Sequence, residues 1–171
     1  ADNENPQWIR RKMYNGLLSG CAGTSFSSGT LENQCYWFKK WQPLMNTPGM
    51  QLVNHCFKLF DALPWHQLIP DTNEQIVVTG RGTFGWLDYA CAAKASDDSF
   101  YVIYIPTGRT LYFNLHAMSE SVMRMHWYNP RTGQFIRIGH AGHDSHFGVV
   151  TPDDDDWVLI FDGIPDWQLP G

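Results

Sequence analysis

The chain has 171 residues, of which 43% are hydrophobic and 17% charged, so it can bury a core and is not globally disordered. Twelve Lys and Arg against 17 Asp and Glu give a formal net charge of −5, which excludes the basic footprint of a general nucleic-acid binder. A complete (β/α)8 barrel needs roughly 250 residues, and no apolar run approaches the ~18 residues of a membrane span.

The opening Ala1-Asp2-Asn3-Glu4-Asn5 is polar and acidic and does not read as a signal peptide. On this reading either a leader has been removed or the chain starts inside a longer protein. A helix is expected over 6–19, capped by Asn5 and opened by Pro6. Ile9, Met13 and Leu17 form its apolar stripe with Tyr14 and Leu18 beside them. Arg10, Arg11 and Lys12 fall on the opposite, solvated side. Gly20 ends it. The small residues from Cys21 to Phe26 read as a buried strand. Residues 27–46 form a long loop holding Tyr36, Trp37, Phe38 and Trp41, and loops of that length are usually functional.

A second helix is expected over 48–63, opened by Pro48 and stopped by Pro64, with Leu52, Val53, Cys56, Phe57, Phe60 and Leu63 on its apolar face. From about residue 75 the pattern becomes strand-like. Eight extended segments are expected at 75–79, 87–94, 99–105, 109–115, 122–128, 134–138, 146–150 and 157–162. In 122–128, Met123, Met125 and Trp127 point one way, while Arg124, His126 and Tyr128 make a short polar face on the other. Strands at this spacing, with turn signals between them, indicate a sandwich or barrel. Trp127 and Trp157 are expected in the core, and Trp86, among Gly82, Thr83 and Gly85, at the surface.

Four cysteines, Cys21, Cys35, Cys56 and Cys91, form no Cys-x-x-Cys pair and are too few for a disulfide scaffold, so buried free thiols are expected. His140, His143, Asp144 and His146 are dense enough to be metal-ligand candidates, but their spacing matches no metal motif and fits a polar turn. The run Asp153 to Asp156 lacks the Asp-x-Asp-x-Asp-Gly pattern of a calcium loop and reads as a solvated acidic turn. Gly80-Arg81-Gly82-Thr83-Phe84-Gly85 matches Gly-x-Gly-x-x-Gly, but a strand follows instead of a helix, so a turn is expected and not a nucleotide site. No cofactor is expected.

Several segments in order resemble the C-terminal end of a bacterial glycoside-hydrolase-like family that includes apiosidase-like enzymes. The segment from Arg10 to Gly23 resembles that family's seventh barrel helix and eighth strand. Thr47-Pro48-Gly49-Met50-Gln51, Leu63-Pro64-Trp65 and Leu68-Ile69-Pro70-Asp71 resemble its last barrel helix and exit. Tyr104-Ile105-Pro106-Thr107-Gly108, the stretch from Trp127 to Gly133, and Asp156-Trp157-Val158-Leu159 resemble the β-sandwich that follows the barrel, a domain that carries a collagen-binding label. One departure is Thr24, which stands where family members usually place a His after the Ala-Gly of the eighth strand.

The resemblance implies an α+β chain: an N-terminal helix–strand–helix remnant of a (β/α)8 barrel at 1–72, then an antiparallel β-sandwich of about eight strands at 73–171. It implies the C-terminal part of a secreted or periplasmic carbohydrate-active hydrolase, with the sandwich bracing the barrel. The partners would be a polysaccharide or oligosaccharide and the missing N-terminal barrel portion, with no nucleic acid and no membrane. The alternative is a binding module for polysaccharide or collagen-like matrix without catalysis. Tyr36, Trp37 and Trp41 are then the sugar-facing candidates, because an aromatic ring stacks on the C–H face of a sugar. Glycosidase chemistry usually needs two carboxyl groups about 5–9.5 Å apart. Glu4 and Glu32 are the candidates present, but a complete pair is not expected within this chain.

Overall fold

A computed structural model describes residues 6–25, 48–164 and 167. Helix α1 spans Pro6–Leu18 and α2 spans Pro48–Asp61. A 3-10 turn at Trp65–Gln67 leads into β1 (Leu68–Pro70) and β2 (Val77–Thr79). Then follow β3 (Cys91–Ala95), β4 (Phe100–Ile105), β5 (Thr110–Phe113), β6 (Val122–Asn129), β7 (Gln134–Gly142), β8 (Phe147–Val150) and β9 (Trp157–Asp162).

The strands form two antiparallel sheets, one of order β1-β3-β4-β9-β6-β7 and one of order β2-β5-β8. The large sheet is covered on both faces. One face carries Ala93, Phe100, Val102, Tyr104, Tyr128, Val158 and Ile160 against α1 and α2. The other carries Ala92, Tyr101, Ile103, Ile105, Trp127, Leu159 and Phe161 against Val77, Leu111 and Phe113 of the small sheet. Three layers result, with two cores sharing one sheet. Central strands β4 and β9 are buried along their whole length. That is why Phe100 to Ile105 and Trp157 to Phe161 read as unbroken apolar runs and not as alternation.

α1 ends in a bifurcated turn, with the Ser19 amide donating to Asn15 and Gly16, and Gly20 takes a positive φ of 91°. α2 closes with Ala62 and Leu63 donating to Leu59 and Phe60, two residues short of the expected end. The Tyr128 hydroxyl donates to the His55 carbonyl at 2.5 Å, and the Trp167 indole N–H donates to the Ala62 carbonyl at 2.6 Å. Together they fasten α2 over β6.

Five expectations change. Phe57, expected on the apolar face of α2, is 55% exposed. Residues 21–25 are exposed and form no strand; among the described residues no strand lies beside them to take their backbone hydrogen bonds. Arg10 is buried and not solvated, because Asp156 receives it. β1 was not expected; its three residues, ending in proline, give too little pattern, yet they form an edge strand against β3. The face of Arg124, His126 and Tyr128 is not a free polar face. His126 and Tyr128 are buried, and Arg124 pairs with the fully buried Asp162 at 2.8 Å.

Candidate functional site

Two places combine polar groups with a geometry beyond simple packing. The first is the seam between α1 and the large sheet. The Arg10 guanidinium donates from Nε and Nη2 to the two oxygens of Asp156, each at 2.7 Å. The Tyr104 hydroxyl donates to the same carboxylate at 2.9 Å, and the Tyr104 ring stacks on Tyr14 at 4.9 Å. Asp156 is fully buried, and three donors meet its carboxylate, so burial does not leave it without a hydrogen-bond partner. Burial works against the Arg10 charge, yet the bond and charge of Asp156 hold its pKa above the ordinary value. Burial, then the neighbouring carboxylate, push Tyr104 well above the usual phenol range, so it stays a donor. The seam is a clamp and offers no reactive group.

The second place is the loop from Arg81 to Ala90. Its neck is closed by the Ala90 amide donating to the Arg81 carbonyl at 2.7 Å and by Arg81 Nε donating back to the Ala90 carbonyl at 3.2 Å. Arg81 is buried and also pairs with Asp71 at 2.8 Å. The Asp71 carboxylate in turn accepts the amides of Gln75 and Ile76 at 2.8 and 3.1 Å. Gly80 and Gly82 hold φ values of 83° and 88°. A side chain on Gly80 would strike the Thr110 carbonyl, and one on Gly82 would come within 2.5 Å of the Asp88 carbonyl.

On this frame Tyr89 lies between the Arg81 guanidinium, 5.0 Å from its ring centre, and the Phe84 ring, which meets it edge-on at 5.3 Å. The loop pushes Phe84, Trp86 and Leu87 outward, with 80%, 72% and 60% of their surfaces exposed. Beside them the Asp88 carboxylate accepts the Thr83 amide and lies 3.9 Å from Arg109. Asp71 also lines an open groove of about 530 Å³ with Ile69, Gln75, Lys94, Tyr101 and Asn114.

Glu4, Glu32, Tyr36, Trp37 and Trp41 lie outside the described residues, as does Cys35. His140, His143, Asp144 and His146 are near in sequence but do not converge. His140 contacts Arg137, His143 bonds the Glu120 carbonyl, His146 stacks on Tyr112, and Asp144 accepts the His146 amide. Among the described residues no three His, Cys, Asp or Glu side chains gather as a metal site. The acidic run divides: Asp153, Asp154 and Asp155 are exposed, with Arg131 against Asp153 and Asp155, while Asp156 turns inward. Cys56 and Cys91 are buried free thiols and Cys21 is an exposed one. Trp127 and Trp157 lie in the core, and Trp86 is exposed, as expected. The Asp71–Arg81 node was not foreseen; the glycines around Arg81 are its only signal in the sequence.

Residues 69–162 match the profile of a family described as "Putative collagen-binding domain of a collagenase". The fold is similar to a structure titled "Glycoside hydrolase", at 20% identity and a TM-score of 0.73, covering 91% of this chain and 36% of that one. It is also similar to a glycoside hydrolase family 5 structure from Bacteroides vulgatus ATCC 8482, at 20% identity and a TM-score of 0.78, covering 96% of this chain and 38% of that one. The chain thus spans under two fifths of the length of either structure. No curated protein matches.

Proposed function

The chain belongs, through residues 69–162, to this collagen-binding-domain family, and from its fold likeness to two glycoside hydrolases we propose that it is the non-catalytic C-terminal part of a carbohydrate-active hydrolase. In this reading α1, residues 21–25 and α2 are the last elements of a (β/α)8 barrel of apiosidase-like type. The two sheets brace that barrel from outside, and β1 belongs to them although it precedes the boundary near residue 72. The protein acts on polysaccharide side chains outside the cytoplasm, and its catalytic carboxylates lie on barrel strands beyond these 171 residues.

The observation that carries the reading is the seam. The helices share one apolar core with the large sheet and are fixed to it by the buried Arg10–Asp156–Tyr104 clamp. A brace must hold its helices in one position, and a bidentate pair does so. Trp8 on α1 and Phe57 on α2 are 54% and 55% exposed, so the helix side keeps apolar surface that a neighbouring barrel would cover.

A reducing-sugar release assay on pectic and hemicellulosic polysaccharides tests this. The 171-residue chain is expected to release nothing. In a longer protein carrying the barrel, Asp156→Ala is expected to lower the temperature at which hydrolysis is lost. Turnover by the chain alone overturns the reading and makes Glu4 and Glu32 the first residues to substitute. The second reading, a binding module for polysaccharide or collagen-like matrix, is favoured by the exposed apolar residues of the 81–90 loop.

A further inference from the structure

We propose that the loop between Arg81 and Ala90 is a binding site for a neutral polysaccharide, with the Trp86 indole stacking on the C–H face of a sugar ring and Asp88 accepting from its hydroxyls. The site is distinct from the seam and lies on a different part of the fold.

The loop is built to display its apolar residues. A mobile loop with three exposed apolar side chains would fold them inward to escape water. Here the neck bonds between Arg81 and Ala90, the buried Arg81–Asp71 pair and two left-handed glycines prevent that collapse. Inside the loop, the Trp86 amide donates to the Thr83 carbonyl and the Tyr89 amide to the Trp86 carbonyl, so the turn that carries the indole is itself bonded. A ring carried on a bonded turn costs little backbone freedom on binding, which favours affinity.

Phe84, Trp86 and Leu87 together offer on the order of 400 Å² of exposed side chain, enough to cover a few sugar rings. The loop also carries a polar group: the Asp88 side chain, two residues along from Trp86, is 47% exposed and lies 3.9 Å from Arg109. An aromatic face with a neighbouring carboxylate suits a ring that is apolar on one face and hydroxylated at its edge.

Charge decides between sugars. The turn at Thr107–Arg109, which supports Gly80 through Arg109, packs against Asp153 and Asp154. Asp153, Asp154 and Asp155 are exposed there, and the nearby cations Arg81, Arg109 and Arg131 each face a carboxylate. An anionic polymer such as a polyuronate meets a field of its own sign. A neutral polymer does not.

The choice of a glycan as ligand rests on the carbohydrate-active reading above, whereas the display itself does not. The test is affinity electrophoresis of the 171-residue chain in gels containing β-glucan, xyloglucan, galactomannan or polygalacturonate, with adsorption to fibrillar collagen measured alongside. Retardation by at least one neutral polymer is expected, with polygalacturonate giving none. Trp86→Ala should weaken binding by about tenfold or more, and Trp86→Tyr should keep most of it. The thermal midpoint should hold within about 2 °C in both variants, since the indole is exposed.

Absence of retardation by all three neutral polymers overturns the proposal, as does retardation unchanged in Trp86→Ala. Collagen adsorption that Trp86→Ala abolishes reassigns the loop to a protein ligand and overturns it too. Sugar release by the chain would instead sink the brace reading and leave the loop standing, so the two failures are separable.

Discussion

The two faces of the large sheet are covered in different ways. On the small-sheet side, contact is made by rings and aliphatic chains: Phe113 meets Phe161 edge-on at 5.1 Å, and Phe147 approaches the same ring at 6.3 Å. On the helix side, similar packing is joined by a buried carboxylate with three donors. Apolar packing is strong but non-directional, and the small sheet, whose strands pair only with one another, rests on the large one by packing. On the helix side a bidentate ion pair, which has one good geometry, adds a fixed position for α1.

The largest break in this contrast is Asp156→Ala. It leaves the Arg10 charge buried without a partner and should cost about 3–5 kcal/mol. Urea denaturation measures the loss, and a change under about 1 kcal/mol would show that the pair is idle. Arg10→Met together with Asp156→Leu sharpens the test. Stability should recover by more than half, because a well-packed apolar pair often matches a buried ion pair. Leu111→Ala, on the opposite face, should cost about 3 kcal/mol with no such rescue, since a cavity and not a stranded charge is the cause.

Thiol labelling reads the same contrast on a smaller scale. Burial pushes the Cys56 thiol up to about 12 and raises Cys91 as well, while Cys21 is exposed. In the native protein at pH 8, Cys21 should react with a thiol reagent at the rate of a free peptide. Cys56 and Cys91 should react only on unfolding, as peptide-resolved mass spectrometry would report. Fast native labelling of Cys56 would mean that the helix layer lifts off the sheet readily.

The smallest effect belongs to the surface. Burial works against the Asp153 charge, but bonds from the Trp157 indole, the Asp155 amide and Arg131 outweigh it and lower its pKa. A depressed carboxylate stabilises the fold above its unfolded value and loses that contribution as pH falls through the folded one. Asp153→Asn should therefore cost under about 1 kcal/mol at pH 7. It should also flatten the loss of stability below about pH 4. Thermal midpoints across pH 2–7 check this, and an unchanged acid limb would count against the assignment.

Much of the fold was legible because its signals are local. Pro6, Pro48 and Gly20 mark helix ends within a residue or two, since a missing N–H or a left-handed φ acts where it stands. Strands β4 and β9 announce themselves by apolar runs. What was illegible is long-range. Nothing near Arg10 says that a carboxylate 146 positions away will receive it, and so its charge read as solvent-facing. No pattern assigns β2, β5 and β8 to a sheet of their own, because an alternating strand looks the same in either. At the 81–90 loop, the exposure of Trp86 was legible from its glycines, while the ion pair beneath it was not.

The position of β9 bears on how the fold closes. It is the last strand among the described residues, yet it lies between β4 and β6 in the large sheet. Until β9 enters, that sheet has an open slot at its centre and both cores lack a wall. β4 and β6 then carry unpaired edges on either side of the slot, and α1 has no Asp156 to hold it. Bare edges of that kind can pair with another chain, so the step that closes the fold is also the one that shields it from association.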